Sequence, residues 1–120
     1  MNILNALQYF ALITGIMAIL LGTVAMIFPT KMSEGFGIPT RNNTSGYVAS
    51  LGARDVFVGL VVLMLYFNES WKMIAYTSFM ISFVALIDFI VVLKKGNKKT
   101  SVAHLLGFLI FIVYGYFILP

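Results

Sequence analysis

The sequence predicts an all-α integral membrane protein, a bundle of four transmembrane helices, on three observations. Hydrophobic residues make up 61% of the chain and charged residues only 10%, against roughly 25% charged in ordinary soluble domains. The mean hydropathy is +1.00. Four apolar stretches of about 20 residues, the length that crosses a bilayer core, are separated by short runs of helix breakers and lysines. The 120 residues have room for a single transmembrane domain, 1–120, and for no separate soluble domain.

The first helix is expected over 4–28, stopped by Pro29. It lacks a basic n-region and outruns the usual 7–15 residue core of a signal peptide, so it reads as a retained span. The connection 29–46, PTKMSEGFGIPTRNNTSG, is the longest in the chain. Gly35 and Gly37 surround Phe36, with Ile38 next, which suggests a flexible apolar tip. Phe36 and Ile38 either form a lid over a pocket mouth or rest in the headgroups as an interfacial connector. Thr44 or Ser45 suits the cap of a second helix over 47–67.

Asn68, Glu69 and Ser70 make a tight turn, which sets the second helix beside a third, 71–93, as antiparallel neighbours. A short basic loop, 94–101, leads to the fourth helix, 102–119. Asn42, Asn43 and Asn68 each start a glycosylation pattern, but all three lie too near lipid to weigh. Tyr66, Phe67, Trp71, Tyr114 and Tyr116 fall near one set of helix ends and read as an interfacial aromatic belt.

Loops 29–46 and 94–101 share one face and carry Lys31, Arg41, Lys94, Lys95, Lys98 and Lys99; the other face has only Lys72, beside Glu69. Basic residues at span ends favour the cytoplasm, so the expected protein is a multi-pass cell-membrane protein with both loops cytoplasmic and both termini outside. The net charge of +4 then reflects topology and contact with anionic headgroups, not nucleic-acid binding. Cysteine is absent, which excludes disulfides, thiolate catalysis and Cys-ligated metals. A single histidine excludes a multi-His metal site within one chain. No phosphate loop, HExxH or nucleophile elbow is present, so no metal is implied and no cofactor is specified.

Charge inside the spans is the informative feature. Arg54 lies roughly 10 Å, and Asp88 about 8 Å, below the loop-bearing surface, with His104 shallower at the start of the fourth helix. Ala75, Ser78, Ser82 and Ala85 form a small-residue stripe that Asp88 continues, which turns Asp88 into the bundle. The first helix has a similar face in Ala11, Gly15, Ala18, Gly22 and Ala25, and the second has Gly52 and Gly59 seven apart. Neighbouring helix residues diverge by about 100°, so Arg54 and Asp55 each need a separate partner. Arg54 is expected to pair with Asp88, leaving Asp55 to His104, hydroxyls or water. Left unpaired, each charge costs at least roughly 2.5–3.5 kcal/mol in a membrane.

Arg54, Asp55, Asp88 and His104 are therefore the candidate ligand-binding set, a charge-paired pocket in one leaflet for a small amphiphilic or lipid-like ligand. One alternative is a structural or accessory membrane subunit whose charges only staple helices together. Another is a membrane-embedded enzyme on a lipid or isoprenoid-like substrate, with Asp88 or Asp55 as acid/base and Arg54 as anion clamp. A multidrug-type transporter fits poorly, because the first helix carries no charge. Expected partners are membrane lipids, with a small amphiphilic ligand and a homo-oligomer left open.

Gly52-Ala53-Arg54-Asp55, followed by Gly59 and preceded by Gly37-Ile38-Pro39, resembles the pattern of a family of small bacterial and fungal membrane proteins of unknown function. More distantly, the four-helix plan is similar to the DoxX-like superfamily, some members of which are associated with quinone-linked oxidoreductases. The resemblance covers most of the chain. It implies four helices with Arg54 and Asp55 at the motif position, and no particular reaction.

Overall fold

The computed structural model describes residues 3–36 and 45–119. It contains α1 (Ile3–Ile27), α2 (Pro29–Phe36), α3 (Ser45–Phe67), α4 (Trp71–Lys95) and α5 (Lys98–Ile118). All but α2 are long and apolar enough to cross a bilayer, and the chain is an all-α integral membrane bundle. Set beside the expected 4–28, 47–67, 71–93 and 102–119, the helices differ most at the two loops. The basic run is mostly helical, since α4 continues to Lys95 and the Asn97 side chain caps α5 by accepting the Lys99 amide at 2.9 Å.

The second difference is α2, which occupies part of the segment expected to be a flexible connector. Pro29 does end α1, but it also opens a new helix, because a fixed φ and a missing N–H suit the first helical position. Ser33 is buried and donates to the Thr30 carbonyl at 2.7 Å, while the Lys31 ammonium sits 5.9 Å from the Phe28 ring centre. Phe36 is the last residue of this helix, and Ile38, with Thr44, lies outside the described residues.

The spans pack as two antiparallel pairs. α3 lies along α1, and α4 along α5; α3 and α4, expected as neighbours from their short connection, meet far less extensively. The cause is glycine. Gly15 faces Gly59 and Gly22 faces Gly52, so the seven-residue spacing on each helix brings the two backbones together in one antiparallel register. A Cβ on Gly52 would lie 2.5 Å from the Gly22 carbonyl oxygen, and one on Gly59 2.6 Å from that of Gly15. Only glycine permits that approach. In the other pair Gly115 lies beneath the Phe79 ring, with 2.8 Å from a notional Cβ to the ring edge, and Gly107 lies beside Ala85.

Asn68–Ser70 join the pairs in a turn where Glu69 adopts a φ of 54°, and the Asn68 amide side chain caps the Met64 carbonyl at 2.7 Å. The turn and the outer ends of α1 and α5 define a turn face; α2 and the Gly96–Asn97 link define a loop face. The core that joins the pairs lies toward the turn face, where Ala11, Val62, Ile74, Ala75, Tyr114 and Ile118 are buried together. Phe10 packs on Tyr114 and Phe111 at ring separations of 4.6 and 5.9 Å. The Tyr114 hydroxyl donates to the Leu7 carbonyl at 2.7 Å, which makes this tyrosine a core residue linking α5 to α1, not part of a belt. Tyr66 and Trp71 do meet edge to face beside the turn.

Candidate functional site

α3 carries Arg54 and Asp55 nine and ten residues from its start, and α4 carries Asp88 seven residues from its end. At about 1.5 Å per residue all three sit roughly 10–15 Å inside the loop face. Because α5 begins at Lys98, His104 lies about 9 Å deep, not at a helix start. Asp88 is within electrostatic reach of Arg54, His104 and Asp55. Four polar groups from three helices thus occupy one layer.

Their pairing differs from the expectation. Arg54 turns back to Asp55, donating from Nε at 3.4 Å and from Nη2 at 3.2 Å to the same carboxylate oxygen, Oδ1. The divergence of adjacent residues constrains Cβ directions, whereas the long arginine side chain bends round the helix far enough to close that gap. Asp55 is consequently engaged by Arg54. The same Nη2 lies 3.9 Å from Asp88 Oδ2, an ion pair beyond hydrogen-bond length that links α3 to α4. Arg54 therefore serves two carboxylates.

Exposure ranks the three groups. The Asp88 side chain is 20% exposed, Arg54 36% and Asp55 40%, so Asp88 is the most enclosed and none of the three is fully buried. Ser78 and Ser82, on the same stripe as Asp88, are buried. Phe57, a natural choice for an apolar wall, is 66% exposed and faces away. The half-buried Phe108 stays near the bundle.

A cavity inside the bundle lies elsewhere. It is lined by Ala11, Thr14, Val62, Ser78, Phe111 and Tyr114 among others, and its roughly 10 Å³ of water-sized space suits about one water. Ser78 stands ten residues from Asp88 on α4, about 15 Å away along the axis, so this cavity belongs to the turn-face core. Its sequence signal was the pair of small polar residues, Thr14 and Ser78, within otherwise apolar packing faces. Among the described residues, no group of three or more His, Cys, Asp or Glu side chains gathers as a metal site.

Residues 15–118 match the family described as a domain of unknown function, DUF4267. The match takes in Arg54, Asp55, Asp88 and His104 and most of all four spans, and the chain belongs to this family. No curated protein and no solved structure matches the chain.

Proposed function

We propose that Arg54, Asp55 and Asp88, with His104 beside them, hold the polar head of a small amphiphilic or lipid-like ligand whose apolar part lies between the two helix pairs. The observation that supports this reading is the shared Arg54, placed between two carboxylates at membrane depth with all three side chains from 20% to 40% exposed. Charges that only hold helices together gain most when sealed and fully hydrogen-bonded. A partly exposed cluster keeps donor and acceptor capacity for a headgroup. α2, ending at Phe36, packs on α1 and α3 and would cover the loop-face end; the lid role of Phe36 and Ile38 belongs to this proposal. The Gly-Ala-Arg-Asp motif and the distant DoxX-like plan enter it in the same way, as the frame that presents Arg54 and Asp55.

The test is photolabelling in lipid nanodiscs with a diazirine-bearing fatty acid. Saturable labelling of residues around Arg54 and Asp88, lost in Arg54→Gln, is expected. Unsaturable labelling spread over the lipid-facing side chains would leave no ligand site. A second reading, a structural staple, is favoured by one observation: Arg54 already has both carboxylates as partners.

The proposed orientation places loops 29–46 and 94–101 in the cytoplasm, supported by the lysines of the loop face. Cysteines replacing Lys31 and Lys95 should resist an impermeant thiol reagent in intact cells. Rapid labelling at both would invert the topology.

A further inference from the structure

We infer that the bundle is a hinged pair of tongs: the α1/α3 and α4/α5 pairs pivot about the turn-face core, and the Arg54–Asp88 ion pair is the latch that closes their loop-face ends. Within each pair the helices pack along their length. Gly15, Gly22, Gly52 and Gly59 hold α1 and α3 at backbone contact, where no side chain can slide. Gly115 under Phe79 fixes α4 against α5 toward the turn face, Gly107 meets Ala85 at ordinary contact distance, and this register carries on to the buried Val92 and Ser101. Each pair can therefore move as one body.

Between the pairs, the links seen among the described residues are unevenly placed. The Tyr114–Leu7 hydrogen bond, the Phe10–Tyr114 contact, the buried apolar cluster and the covalent turn at Asn68–Ser70 all lie in the turn-face half. Ala25, Val92 and Ser101 are buried nearer the loop face. There Arg54–Asp88, at 3.9 Å, ties α3 to α4. From Ser78 in the core to Asp88 the arm is about 15 Å, so a rotation of roughly 10° parts the pairs by about 3 Å at Asp88 and by somewhat more at the loop-face ends. Arg54 keeps Asp55 when Asp88 leaves, and this second partner spares the open state an unpaired guanidinium. Opening would give a bilayer amphiphile a sideways path to the cluster, but the hinge stands or falls independently of the ligand reading.

The test uses spin-label distances in lipid nanodiscs, for which the chain, lacking cysteine, needs no background removal. One label pair, on Ile27 and Val102, reports the loop-face ends; another, on Ile3 and Phe117, reports the turn face; all four sites are exposed. In Asp88→Asn the loop-face distance should broaden and lengthen by at least about 3 Å while the turn-face distance stays unchanged. Arg54→Gln/Asp88→Asn, which removes both members of the latch, should do the same, and Asp88→Glu should restore the closed distance. Unchanged loop-face distances in both variants would overturn the latch. So would broadening at both ends, which would mark the ion pair as a staple of the whole fold.

Discussion

At the turn face the helix pairs are joined by Phe10, Tyr114 and the buried Ala11, Val62 and Ile74, whereas toward the loop face Arg54 and Asp88 bridge α3 and α4 at 3.9 Å. The difference shows how a bundle chooses fastenings in lipid. Apolar contact between helices gains little there over contact with acyl chains, so association depends on close packing and on polar links. The turn-face half uses both, through small residues and the Tyr114 hydroxyl. Toward the loop face, among the described residues, glycine contact packs α3 on α1 and the charges of Arg54 and Asp88 link α3 to α4.

The comparison is broken most severely by attacking the packing within a pair. Gly52→Ala sets a methyl group against the Gly22 carbonyl and Ala25, backbone that cannot yield, and should cost roughly 3 kcal/mol, the upper end of ordinary overpacking. Loss of the folded bundle in mixed-micelle unfolding would show it. Next comes Arg54→Gln, which strips the cation from two carboxylates together. About 2 kcal/mol is expected, below the ~3–5 of a fully buried pair because the side chain is more than a third exposed. Asp88→Asn should cost less, about 1 kcal/mol, since Arg54 retains Asp55. Equal losses for the two would remove Asp55 from the account.

Tyr114→Phe sharpens the other side of the comparison. Removing the hydroxyl that reaches Leu7 should cost roughly 0.6 kcal/mol, the average for a polar contact between membrane helices, read in the same unfolding measurement. Gly107→Ala is the smallest expected effect, within about 0.5 kcal/mol, because its nearest neighbour would be Ala85 at an ordinary 3.8 Å. A large loss there would mean that α4 and α5 are as tightly locked as α1 and α3.

These contrasts also show what could be read from the residues. The spans were legible because Pro29, Asn68 and the lysine run punctuate long apolar stretches, and depth within a helix follows from counting. The pairing of helices was only half legible: the glycines seven apart on α1 and α3 were visible, but nothing local says that Gly22 should meet Gly52 instead of a face of α4. Chain proximity at Asn68–Ser70 pointed to α3 with α4, and close backbone packing overrode it. α2 was hidden because Pro29 reads equally as a helix end and a helix start. The Arg54–Asp55 contact was missed because backbone geometry says little about where a long guanidinium side chain folds back. Composition shows that Phe57 is apolar, but only the packed register turns it outward.

The most direct test is a double-mutant cycle on Arg54 and Asp88, with unfolding free energies measured for Arg54→Gln, Asp88→Asn and the double variant in one lipid mixture. If the two groups join the helix pairs, the double variant should be less destabilised than the sum of the singles, by a coupling of about 1 kcal/mol. Additive losses would contradict the account, and Arg54 would then belong to α3 and Asp55 alone.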